Sequence, residues 1–102
     1  MAKIIELSNV PNQEISTMLG GAPWVIRLTD CGSCMATDIT IDGELLVSGQ
    51  RLVADAPVFP YVYYWRIHGG LFLYTENNDM PDWKKFNKSQ WLFYFEPSEL
   101  GL

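Results

Sequence analysis

Apolar and aromatic residues come in short runs, each closed by a turn signal, and within several runs they alternate with polar residues. Such segments are too short for ordinary helices and rich in the side chains that fill a pleated, half-buried surface. Lys3 to Leu7 reads as a first short strand. Val10-Pro11-Asn12-Gln13 is a turn, because proline locks its own φ and asparagine tolerates turn geometry. Glu14 to Met18 then alternates with the period of a strand that has one wet face, and Gly20-Gly21 ends it and starts a hairpin. Trp24 to Thr29 follows, with Trp24, Ile26 and Leu28 on one side and Val25, Arg27 and Thr29 on the other. After a loop at Asp30 to Cys34, Ala36 to Ile41 alternates again into Asp42-Gly43. That pair predicts a hairpin, since a type I′ turn needs positive φ at both central residues.

The second half continues the plan. Leu45 to Val53 is interrupted at Gly49-Gln50, which predicts two short strands or one bulged strand. Asp55 to Pro60 must be a connection, because Pro57 and Pro60 deny a ladder its donors. Tyr61 to Ile67 and Leu71 to Thr75 flank His68-Gly69-Gly70 and read as an aromatic hairpin. Asn77 to Asp82 is a polar loop, and Trp83 to Phe86 is a single helical turn with Pro81 or Asp82 near its start. Trp91 to Phe95 is the closing strand. The expectation is an all-β fold: one domain over residues 1–102, a small barrel or sandwich of about eight short antiparallel strands with at most one short helical turn. Pattern alone does not choose between barrel and sandwich.

Composition narrows the function. At 102 residues, with 48% hydrophobic and 14% aromatic positions, the chain can bury a core and is not a disordered segment. The net charge of -5 argues against nucleic acid as a partner. Its one local basic cluster, Lys84, Lys85 and Lys88, is flanked by Asp79 and Asp82. No apolar run approaches the roughly 20 residues that span a bilayer, so no membrane partner is expected. The start, Met1 to Leu7, meets an acid too soon for a signal peptide, which predicts synthesis in a cytoplasm and reduced cysteines.

Candidate chemistry is sparse. Cys31-Gly32-Ser33-Cys34 has the spacing of a redox dithiol or half a zinc site. The redox reading expects a helix after the first cysteine, and strands flank the pair here. A zinc site needs two more soft ligands, yet the chain has two cysteines and one histidine in all. His68 precedes Gly69-Gly70, and nothing in the sequence ties it to a nucleophile such as Ser48 or Ser89. The acids Asp38, Asp42, Glu44, Asp55, Glu76, Asp79 and Asp82 are scattered among turns, where such residues shape the backbone. The expectation is no enzyme, with no catalytic, cofactor-binding or metal-binding residues.

Aromatics are in surplus: four Trp, five Tyr and five Phe exceed what a core this size uses, so some should mark an interface. Strand alternation would put Tyr61, Tyr63 and Trp65 on one face and Tyr64 on the other. The interface candidates are Phe59, Tyr61, Tyr63, Tyr64 and Trp83. Packing against a neighbouring protein is the leading reading. The alternative is a carbohydrate- or small-ligand-binding β module using the Tyr61 to Tyr74 hairpin.

Several segments together resemble a family of small tailed-phage proteins. They are Val10-Pro11-Asn12-Gln13, Asp42-Gly43, Gly49-Gln50-Arg51-Leu52-Val53, Pro60-Tyr61-Val62-Tyr63, Gly70-Leu71-Phe72 and Pro81-Asp82-Trp83 before an aromatic closing strand. The resemblance runs from Ile4 to Phe95 and rests on turns and strands, with no catalytic signature. It departs from the family pattern at the Cys31 to Cys34 loop and the Asp55 to Pro60 connection. It implies a structural virion protein of a contractile tail, a baseplate hub or plug component. The implied partners are other baseplate or hub proteins and tail-tube or spike proteins, met by several copies in a ring.

Overall fold

The computed structural model describes residues 3–32, 34–59 and 62–100. Among the described residues, eight strands form two antiparallel sheets, so the sandwich is the observed form of the expected all-β fold. One sheet runs β2 (Asn12–Leu19), β3 (Ala22–Asp30), β4 (Met35–Ile41) and β5 (Glu44–Arg51) in sequence order. The other has the order β1 (Lys3–Ile5), β8 (Gln90–Phe95), β7 (Gly70–Thr75) and β6 (Ala56–Pro57).

The turns explain the first sheet. Gly20 and Gly21 both have positive φ (59° and 81°), and Asp42 and Gly43 repeat this (54° and 80°). That geometry matches the right-handed twist of the flanking strands. It sets Leu19 opposite Ala22 and Ile41 opposite Glu44. β5 is one bulged strand: its register against β4 slips twice, and Gly49 N–H donates to Asp38 Oδ1 at 2.6 Å.

Alternation selects the core. Trp24, Ile26 and Leu28 of β3 and Met35, Ile39 and Ile41 of β4 are buried and share one cluster with Leu71, Leu73 and Leu92 of the facing sheet. Trp24 bridges the sheets, edge-on to Tyr94 at 5.5 Å and tilted against Phe59 at 6.5 Å. Tyr94 in turn donates its hydroxyl to the His68 carbonyl at 2.8 Å.

The expected aromatic hairpin is half right. Leu71 to Thr75 lies in β7, but Val62–His68 is an α-helix, α1, and not a strand. A strand there would need a free edge of β7. One edge belongs to β8, and Ala56–Pro57 holds the other, with Asp55 N–H donating to the Leu73 carbonyl and Val58 N–H to that of Leu71. The prolines therefore did not exclude pairing: the ladder takes its donors on either side of Pro57. Denied an edge, the segment closes its own hydrogen bonds. Gly69 ends it with φ 91° and donates to the Trp65 carbonyl, a left-handed helix stop.

The long β7–β8 connection is pinned by side chains. Buried Gln90 accepts from Asp82 N–H at 2.9 Å and donates to the Met80 carbonyl at 2.8 Å. Within it Trp83–Lys85 forms the expected short turn, here a 3-10 turn, started by Asp82 accepting from Lys84 N–H.

Candidate functional site: an aromatic sheet face

β7 and β8 are apolar on both sides. Leu71, Leu73, Leu92 and Tyr94 face the core, so the intervening Phe72, Tyr74, Trp91, Phe93 and Phe95 point away from it. Register sets Tyr74 opposite Trp91 and Phe72 opposite Phe93, and β1 adds Ile4, half exposed, opposite Phe93. The rings form a continuous layer. Tyr74 stacks on Trp91 at 5.9 Å and meets Phe93 edge-on at 6.4 Å, while Phe95 touches Phe93 at 6.4 Å and Phe72 at 5.1 Å.

One end of this layer is partly roofed. Trp65 of α1 lies 6.4 Å from Phe72, its indole N–H anchored on the Phe59 carbonyl at 2.8 Å. Leu100, at the end of the 3-10 turn Pro97–Leu100, approaches Gly70 beside it. What stays open is a groove of about 610 Å³, floored by Phe72, Tyr74, Phe93 and Phe95 and lined also by the acids Asp55 and Glu99. Asp55 is exposed and accepts from Thr75 N–H at 2.9 Å and from the Thr75 hydroxyl at 3.3 Å. An antiparallel sheet usually leaves one face polar and wet, so a second aromatic face points to a protein neighbour.

The chain matches the model of a family described as cyanophage baseplate Pam3 plug gp18 over residues 2–98. It belongs to that family. The search of curated proteins returned no match. For a member of a baseplate plug family, an aromatic sheet face is a surface on which assembly can act.

The described interface candidates from the sequence, Phe59, Tyr63, Tyr64 and Trp83, fall elsewhere. Phe59 is core, 1% exposed and packed on Trp24, so it cannot present a ring to a partner. Tyr61 lies outside the described residues. Tyr63 is 71% exposed on α1, edge-on to half-buried Tyr64 at 5.7 Å. Trp83 is half-buried on the β7–β8 connection, where its indole N–H donates to Asp30 at 3.3 Å and Lys84 lies over its ring. The outer rings of β7 and β8 were missed. Their signal was present in Trp91-Leu92-Phe93-Tyr94-Phe95, which has no polar phase and so predicts cover on both sides.

Three of the remaining acids have structural partners. Asp38 holds the β5 bulge, Asp82 starts a turn, and Asp79 pairs with Lys85 at 3.4 Å. His68 enters through its carbonyl, which receives the Tyr94 hydroxyl. Both cysteines are free thiols, Cys31 exposed, and the loop closes through Cys31 N–H to the Cys34 carbonyl. Among the described residues no group of three or more His, Cys, Asp or Glu could hold a metal ion, and no helix is long and apolar enough to cross a membrane. Of the hairpin on which the ligand-binding alternative was built, Leu71 to Thr75 is strand, in β7, while Val62–His68 is α1.

Proposed function

We propose that this chain is a non-enzymatic structural component of the central hub region of a contractile-tail baseplate. It acts by packing, in several copies around the tail axis, against hub, tail-tube or spike proteins. Membership of the plug family supports a virion tail location and a structural role. The observation that carries the packing reading is the ring layer of Phe72, Tyr74, Trp91, Phe93 and Phe95 on the sheet face opposite the core. Apolar area of this kind contributes roughly 25 cal/mol per Å² when a neighbour removes it from water.

The test is made on particles. Mass spectrometry of purified virions should detect the chain, and labelling it in assembled particles should place it at the distal, baseplate end of the tail. Its absence from mature particles would sink the reading. Copy number follows from quantitative spectrometry against a tail component of known stoichiometry, where one copy per tail would remove the ring.

A further inference from the structure

Resting on that reading, we infer that the aromatic face of β7 and β8 seats an apolar segment of a different protein, with a lysine or arginine placed to meet Asp55. A second copy of this chain is not the occupant. The floor is apolar throughout: none of Phe72, Tyr74, Trp91, Phe93 or Phe95 brings a charge to it. Asp55, in the groove lining, is held in position. Its φ of 54° is a left-handed conformation that aspartate tolerates, and both carboxylate oxygens are aimed by hydrogen bonds from Thr75. The ion pairs among the described residues, Arg27 with Glu14 and Lys85 with Asp79, leave Asp55 without a cation. An oriented, exposed carboxylate beside an apolar groove is a receptor for a basic group, and complementary charge of this kind fixes register between partners.

The same charges argue against self-association. No Lys or Arg lines the groove, so an isologous contact would give Asp55 no cation from the twin's groove. Glu99, beside Leu100 in the groove lining, is a second acid and offers no cation either. Two copies, each at net charge -5, would also repel.

The experiment places a photo-reactive p-benzoylphenylalanine at position 74, half exposed in the free chain, and irradiates assembled particles. The captured peptide is then identified by mass spectrometry. The expected product joins this chain to a different virion protein, in an apolar stretch carrying Lys or Arg. Capture of a second copy, capture of a segment without a basic residue, or no capture from particles that contain the chain overturns the inference alone. A wild-type chain absent from particles overturns the structural reading and the inference with it. Asp55→Asn keeps an oxygen for Thr75 while removing the charge. It should leave the melting temperature of the purified chain unchanged and lower its incorporation about 2- to 5-fold, the range of a solvated ion pair. Unchanged incorporation would remove the basic residue from the occupant.

Discussion

The two sheets obey one alternation rule and end with opposite surfaces. In the β2–β5 sheet the outward face is mostly polar, with Met18 and Leu45 as exposed apolar exceptions: Glu14 lies opposite Arg27, Arg27 opposite Asp38, and the Arg27–Glu14 pair closes at 3.0 Å in solvent. In the β1–β8–β7–β6 sheet the outward positions are as aromatic as the inward ones are apolar. The first sheet is complete as it stands. The second has a dry side already filled by the core and another that only a neighbour can fill, which is why the functional reading falls on β7 and β8.

Adjacent residues of β8 give the sharpest way to break this contrast. Leu92→Ala opens a cavity between the sheets and should cost about 2–5 kcal/mol, read from denaturant midpoints. Phe93→Ala, one residue on and facing out, should cost about 1 kcal/mol from lost ring contacts, yet sharply reduce incorporation into particles. Equal stability losses at the two positions would mean that the outer face is a second core and not a surface.

Gly69→Ala comes next. At φ 91° an added Cβ would collide with the Phe95 carbonyl oxygen, so the α1–β7 junction must shift. The expected loss is about 1–3 kcal/mol in thermal unfolding. A neutral result would detach α1 from the sheet that it roofs.

Tyr94 tests the inner face by pH. Its folded pKa lies above the ordinary value of 10.0, so between the two values the folded state holds a proton that the unfolded chain has lost. The contribution of Tyr94 to stability should therefore be constant below about pH 10 and be lost as pH rises through the folded pKa. Tyr94→Phe should remove that alkaline decline, at a cost near 1 kcal/mol for the lost bond to the His68 carbonyl. Alkaline titration followed by circular dichroism separates the two curves.

The smallest effect belongs to the polar sheet. Arg27→Ala breaks an exposed pair whose side chains are 59% and 52% accessible, so the change should be about 0.2–1 kcal/mol with incorporation unaffected. A strong assembly defect there would move the interface to the other sheet.

Legibility followed locality. The Gly20-Gly21 and Asp42-Gly43 hairpins were readable because positive φ at adjacent residues is a demand settled within the turn itself. Trp24, Ile26 and Leu28 were readable as one face because a strand's period needs only neighbours in sequence. Phe59 was misassigned because it sits in a proline-flanked connection with no period to show its direction, and it turned inward onto Trp24. The aromatic segment before Gly69 was misread for a different reason: its residue types suit a strand, but strands need partners.

The order of residues by itself determined the all-β class, most of the strand positions and the turns that join them, because those depend on backbone preferences and a two-residue period. Tertiary structure decided that Ala56–Pro57 would hold the second edge of β7, leaving Val62–His68 to satisfy its hydrogen bonds as a helix. It also decided which of two apolar phases in Trp91 to Phe95 met the core. Alternation divides a strand into two faces but gives neither a direction. That is assigned only when a second sheet covers one of them.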